Sequence, residues 1–176
     1  GLSRVVVAIR DPFPKVNGGG IAILQAAGIP VDLGVVADAG IALNQPFLKR
    51  VTTGKPYVTA KWAMTLDGKT AVAAGDSKWI SSEGSRRLVH ELRGRMDAIL
   101  VGVETAILDD PLLTVRPPGP RTPTRIVLDR RARLPLTSRL VATPSEVPVL
   151  VVVSEDAPLD RREALAGRGC EVLVIR

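Results

Sequence analysis

The feature that most limits the fold of this chain is a series of short, nearly all-apolar runs separated by segments of helical character. The runs are "RVVVAI" (4–9), "VDLGVV" (31–36), "DAILVG" (97–102), "TRIVLD" (124–129), "VPVLVVVS" (147–154) and "CEVLVIR" (170–176). A strand with one solvated face alternates apolar and polar residues, whereas near-continuous runs of this length suit the strands of a parallel sheet. Parallel neighbours need crossovers, and helical segments stand between the runs. "GGGIAILQAAG" ends at Gly28, a helix spans about 82–95, and "LDRREALAGRG" (159–169) has its own glycine stop. The order predicts an α/β fold around a mainly parallel sheet, beginning with a parallel βαβ unit.

Several local expectations go with it. The helix at 82–95 should bury a stripe of Leu88, Leu92 and Met96, with Val89 beside it. "YVTAKWAM" (57–64) reads as a further strand, and "TAILDD" as a helix of one or two turns starting near Thr105. "ADAGIALNQPFLKRVTTGKP" runs through a short helix into a polar connector, which sets a boundary at about 49–55 between a first domain, 1–50, and a second, 55–176. The chain opens on one strand and closes inside another, as expected of a piece of a longer chain.

Composition excludes several classes of function. No run approaches the roughly 18 apolar residues of a membrane span, and no signal peptide is visible, so a cytoplasmic protein with no membrane partner is expected. A single cysteine, Cys170, excludes an internal disulfide and reads as a half-buried residue at a strand edge. The one histidine, His90, lacks the companions of a zinc or Ser–His–Asp site and reads as a solvated surface residue, so no metal site is expected. Gly18–Gly20 has neither GxGxxG spacing nor a following Lys-Ser/Thr, which leaves a tight turn into a helix. The net charge of +6 owes much to "RTPTRIVLDRRARLPLTSR", with six arginines against one aspartate. That cluster suits a small anionic ligand or nucleic acid, although it lacks the aromatics of a base-stacking surface. Taken singly, most of its arginines read as surface residues.

Two segments have the residue types of a nucleotide site. In "TAKWAMTLDGKTAVAAGDSKWIS" (59–81), Thr59 and Lys61 share one face of the expected strand, and small Ala63 lets a ligand approach the backbone. Trp79, set among Ser77, Lys78 and Ser81, reads either as core or as a lid for a planar ring. In "VGVETAILDDPLLTVR" (101–116), amides near Thr105 favour a phosphate. Asp109 and Asp110 suit either acid/base work or the satisfaction of turn amides and arginines. Arg93 and Arg116 suit bidentate phosphate capture.

"AKWAMTLDGKTAVAAGDSKWIS", "DAILVGVETAILDDPLLTVR" and "RIVLDRR", in that order, resemble the reductase domain of the bifunctional riboflavin biosynthesis family. That family joins a pyrimidine deaminase to a 5-amino-6-(5-phosphoribosylamino)uracil reductase. "RVVVAIRDPFPKVNGGGIAILQAAGIPVDLGVV" resembles the last part of its deaminase domain. The resemblance implies a dihydrofolate reductase-like mixed sheet domain preceded by the C-terminal piece of a cytidine deaminase-like α/β domain. It implies NADPH contacts at Ala63, Trp79, Thr105, Asp109 and Arg130, and contacts to a small phosphorylated pyrimidine substrate at Ser77, Arg93, Leu113 and Arg116. Lys61 matches the family's strand lysine facing the reacting centre. Zinc is implied only for deaminase motifs that would lie before Gly1, and a distal Glu and a glycine-rich substrate segment would lie after Arg176. A homodimer is a family expectation, with no nucleic-acid partner. Phe13 stands where the family usually has Asn, and Arg130 where some members have Ser. The alternatives are a stand-alone reductase of the same fold, a basic nucleic-acid-binding module and a non-catalytic domain.

Overall fold

In the computed structural model, which describes residues 1–71 and 80–176, the chain divides into two units, Gly1–Trp62 and Ala63–Arg176. The first unit opens with the expected βαβ: β1 (Val5–Val7), α1 (Gly19–Ala26) and β2 (Val31–Leu33), with Val5 opposite Val31 in a parallel pair. Gly18 enters α1 in the left-handed region (φ 83°), with the Arg10 guanidinium packed against its open side. Helix α2 (Ala37–Thr53) then runs for 17 residues. The short helix and polar connector expected here are therefore corrected: the helix continues through Pro46 and stops at Gly54 (φ 69°). One proline removes one helical hydrogen bond, and the polar residues after it stay helical, with Thr52 and Thr53 hydroxyls donating back to Leu48 O and Lys49 O.

Residues 55–65 form no regular element, which corrects the strand expected at 57–64. Thr59/Lys61 and Ala60/Trp62 do alternate in sequence, but a strand also needs a neighbour for its backbone N–H and C=O groups. Among the described residues no strand pairs with this segment, and Val58 (74%) and Trp62 (62%) are exposed.

The second unit is built on four strands: β3 (Ala98–Gly102), β4 (Thr124–Leu128), β5 (Val149–Ser154) and β6 (Glu171–Ile175). They lie in the order β3-β4-β5-β6, every pairing parallel. Leu100, Ile126, Leu150 and Glu171 are aligned across the sheet. Val127, Val151 and Val153 point to the opposite face and make the core with Leu134, Leu140 and Leu165. That face is covered by α4 (Val103–Asp109), α5 (Arg139–Ala142) with the loop before it, and α6 (Leu159–Gly167). On the Leu100 face, Leu100, Leu128, Leu173 and Ile175 are exposed among the described residues.

Helix α3 (Glu83–Arg93) is capped by Ser82, whose Oγ accepts from Ser85 N at 3.2 Å. Its buried face differs from the expected one. Leu88 is 65% exposed, while Val89, as expected, turns inward and is joined there by His90 and Arg93. The surface that α3 meets is a loop with free carbonyls and amides, so polar side chains able to bond them occupy the inner face. Two readings from composition are also corrected. Cys170 is fully buried rather than half-buried, and burial pushes its thiol up. Arg125 is wholly buried rather than superficial, and burial lowers its pKa.

Candidate active site

The segment from Asp110 to Arg116 leaves α4 as a strap tied down at four points. Asp110 takes a left-handed conformation (φ 39°) and its Oδ1 accepts from Arg139 N at 2.8 Å. Arg125 Nη1 donates to Leu112 O at 3.1 Å, and Arg93 Nη1 donates to Thr114 O at 2.8 Å. Arg116 N donates to His90 Nδ1 at 3.2 Å. Between these ties Leu113 is buried with φ 53°, a conformation that a branched side chain adopts only when its surroundings hold it there.

Arg125 anchors the strap from beneath. Its guanidinium also donates to Thr143 Oγ1 (2.9 Å), Thr143 O (2.7 Å) and Val147 O. The strap is thus joined to the corner between α5 and β5.

Charge around the strap is one-sided. Arg93 and Arg116 have no ion-pair partner among the described residues. Burial first, then the Arg116 charge, lowers the Arg93 pKa. His90 is held below its ordinary value by burial and then by both arginines. Two guanidinium groups beside a neutral imidazole, with no carboxylate to neutralise them, form a place for an anion.

A second locus lies at the carboxyl ends of β4, β5 and β6. An open cleft of about 640 Å³ has Leu128, Val152 and Ile175 as its apolar part, with Ser154 and with Arg130 and Arg176 set among the carboxylates of Asp129, Glu155 and Asp156. Strand carboxyl ends are where open parallel sheets receive ligands, and the volume is in the range of small-molecule sites. The loop carrying Arg130 is rigidly held. Buried Asp129 accepts from Leu134 N at 2.7 Å, Ala132 sits at φ 52°, and Arg161 donates to Ala132 O and Leu134 O. Arg133 joins this loop to α4 through Glu104 at 2.7 Å. On α4, Thr105 and Asp109 are one turn apart and exposed. The helix starts at Val103, so Thr105 lies within its first turn rather than at its entrance.

The comparisons with known proteins agree with this architecture. The family model of the RibD C-terminal domain matches residues 56–176. The riboflavin biosynthesis protein RibD of Aquifex aeolicus is 44% identical over 177 residues, covering all of this chain and 49% of that protein. The Escherichia coli protein is 42% identical over 83% of this chain and 43% of its own length. The chain belongs to the RibD family. Among solved structures, RibD of Acinetobacter baumannii matches with a TM-score of 0.79 at 42% identity, over 99% of this chain and 48% of that one. A Thermotoga maritima structure described as a diaminohydroxyphosphoribosylaminopyrimidine deaminase/5-amino-6-(5-phosphoribosylamino)uracil reductase matches with a TM-score of 0.78 at 35% identity, over 99% and 54%. The α/β fold expected from sequence is the fold of these RibD structures, and the chain spans about half the length of the relatives it matches.

Of the residues that the RibD resemblance singles out, Arg93, Leu113 and Arg116 come together at the strap. Thr105, Asp109 and Arg130 stand on elements that leave the carboxyl end of the sheet. Arg130 Nη2 lies 3.7 Å from Asp156 Oδ2, both groups largely exposed. Ala63 is half-buried, and Lys61 is exposed within the first unit. Ser77 and Trp79 lie outside the described residues. Among the described residues no group of three or more His, Cys, Asp or Glu side chains is placed to hold a metal ion. No helix among them is long and apolar enough to cross a membrane.

Sequence reasoning missed His90, Asp129 and Arg125 as parts of this construction. His90 stands three residues before Arg93, which places both on one helix face. Asp129, the one acid within the arginine run, stands at a strand end. Arg125 alternates with apolar neighbours on its strand and leaves no sign of what it binds.

Proposed function

We propose that this chain supplies the reductase part of a bifunctional riboflavin-biosynthesis protein and reduces 5-amino-6-(5-phosphoribosylamino)uracil to its ribitylamino product with NADPH. Residues 1–50 are read as the end of a zinc-dependent pyrimidine deaminase domain and 55–176 as reductase. The observation that carries the reading is the strap beside α3, where Arg93 and Arg116 stand, among the described residues, without acidic partners around buried Leu113. A phosphate monoester brings about two negative charges near neutral pH, and the planar forks of two arginines match its oxygens.

The cleft at the strand ends is assigned to the nucleotide end of NADPH, with apolar Leu128 and Val152 for a ring and Arg130, turned from Asp156, for a phosphate. When bound, NADPH supplies the hydride for C1′ of the opened ribosylamino group. The chain's task is then orientation, worth several kcal/mol of barrier in well-positioned reactions. Arg93 and Arg116 fix the phosphate end. Thr105, Asp109 and Arg130, with Ala63 and Trp79, hold the cofactor. Lys61 is assigned the proton at the reacting centre, and Ser77 and Leu113 are assigned to the substrate.

Steady-state kinetics on the phosphorylated substrate tests this reading. Arg93→Lys and Arg116→Lys keep the charge but lose the fork. Each is expected to raise the substrate KM about tenfold or more while leaving the NADPH KM within about twofold. Wild-type kcat/KM at both positions would remove the strap from the substrate site.

A further inference from the structure

We propose that His90 is a positioning residue for the substrate phosphate: its Nδ1, accepting the Arg116 amide, holds the strap in the form that presents Arg116 beside Arg93. The inference rests on the strap being the substrate site and adds a residue and a proton dependence to it. Two α3 side chains are bonded to the strap. Arg93 Nη1 reaches Thr114 O at 2.8 Å, and His90 Nδ1 takes Arg116 N at 3.2 Å. The first holds a carbonyl and the second an amide two residues on, so together they fix both the position and the rotation of residues 114–116. His90 is therefore the tie that sets where the Arg116 side chain begins.

The bond dictates the state of the ring. An imidazole that accepts at Nδ1 is neutral and has its proton on Nε2. Protonation would turn Nδ1 into a donor facing another donor, and would add a third positive charge beside Arg93 and Arg116. The charged groups that bear on the ring are Arg93 on its own helix and Arg116 on the strap. Burial first and then both arginines oppose its protonation, and together they outweigh the Thr114 backbone, which favours the protonated ring. The environment thus holds the imidazole in the state that the strap needs at neutral pH. As pH falls below about 6.5, the ordinary histidine value, and passes through the lowered value of His90, the tie is lost.

His90 is the chain's one histidine, so its ring can be followed without assignment ambiguity. Ring 15N NMR of the protein at neutral pH is expected to show protonated Nε2 and bare Nδ1. A ring protonated at Nδ1 overturns the proposal. Kinetics gives the functional arm. His90→Leu, which removes the acceptor, is expected to raise the substrate KM about tenfold, the scale of one net hydrogen bond. The NADPH KM should stay within about twofold. His90→Asn, whose amide oxygen can stand near the Nδ1 position, is expected to restore most of the affinity. It should also remove the wild-type rise in substrate KM on acidification that belongs to the ring. The substrate phosphate titrates in the same range but identically for both proteins, so the difference between their profiles reports His90.

A wild-type KM in His90→Leu overturns the proposal, as does an Asn variant as impaired as the Leu variant. If His90→Leu does not fold, an Asn profile with the wild-type acid slope overturns it. Failure of the underlying reading is separately visible, because Arg116→Lys would then also leave the substrate KM unchanged.

Discussion

At the scale of single residues, the arginines illustrate how position decides meaning. Six stand between 121 and 139, and the fold gives them different tasks. Arg121 pairs with Asp97, Arg133 with Glu104, and Arg125 is withdrawn into the interior to bind carbonyl groups. These placements break up the contiguous basic run seen in the sequence. Arg130 remains at the rim of the strand-end cleft, with Asp156 as a loose partner at 3.7 Å. An exposed pair at that distance contributes little to stability, so its guanidinium is free to turn to a ligand phosphate. Arg130→Ala is expected to lower the preference for NADPH over NADH about tenfold, roughly 1.4 kcal/mol, and to leave NADH kinetics unchanged. The ratio of kcat/KM with the two cofactors measures this. An unaltered ratio would assign the 2′-phosphate to other groups, with Arg131 and Arg133 next to examine.

At the scale of elements, the end of α3 and the loop after the strap are fitted backbone to backbone. A Cβ on Gly119 would stand 2.8 Å from Gly94 Cα and 3.1 Å from Gly94 O. Arg121 N donates to Gly94 O at 3.1 Å nearby. Neither glycine has a positive φ, so the requirement is space rather than backbone conformation. Neither side of the contact is a flexible side chain, and relief must come from moving the loop or the helix end. Gly119→Ala is accordingly expected to cost about 1–3 kcal/mol in a denaturant titration, the range for overpacking. Because the same loop continues from Arg116, the substrate KM should rise with it. A variant of wild-type stability would show that the loop can shift freely away from α3.

At the scale of the whole molecule, the two units differ in how much they bury. No residue of 1–62 is fully buried, and its sheet has two short strands. The second unit has a continuous core in which Val127, Val151, Leu134, Leu140 and Leu165 are wholly excluded from solvent. Local opening follows buried apolar contact. Hydrogen exchange of this chain should show the amides of β4 and β5 protected to the limit of global unfolding, and those of β1 and β2 exchanging at least about tenfold faster. Equal protection in both pairs would show that the first unit draws stability from interactions beyond its own strands.

How much was legible in the sequence follows from the range of the forces involved. Apolar runs, glycine stops and crossover segments are local, so the α/β fold, the parallel βαβ and the positions of β3 to β6, to within two residues at either end, could be read directly. The motif order around Ala63, Thr105, Asp109, Arg93 and Arg116 similarly pointed to the RibD family. What could not be read depends on partners distant in the chain. A segment with strand-like alternation at 57–64 forms no strand because a ladder needs a neighbour. The leucines of α3 face outward because that helix meets a polar strap, so a regular apolar spacing marked the wrong face. Arg125 is buried because the carbonyls of residues 112, 143 and 147 converge on it. His90 acquires a task because the Arg116 amide, 26 residues on, arrives at its Nδ1. Periodicity and turn chemistry act within a few residues and are written in the sequence. Hydrogen-bond satisfaction of buried polar groups is settled only when the chain has brought the donors and acceptors together.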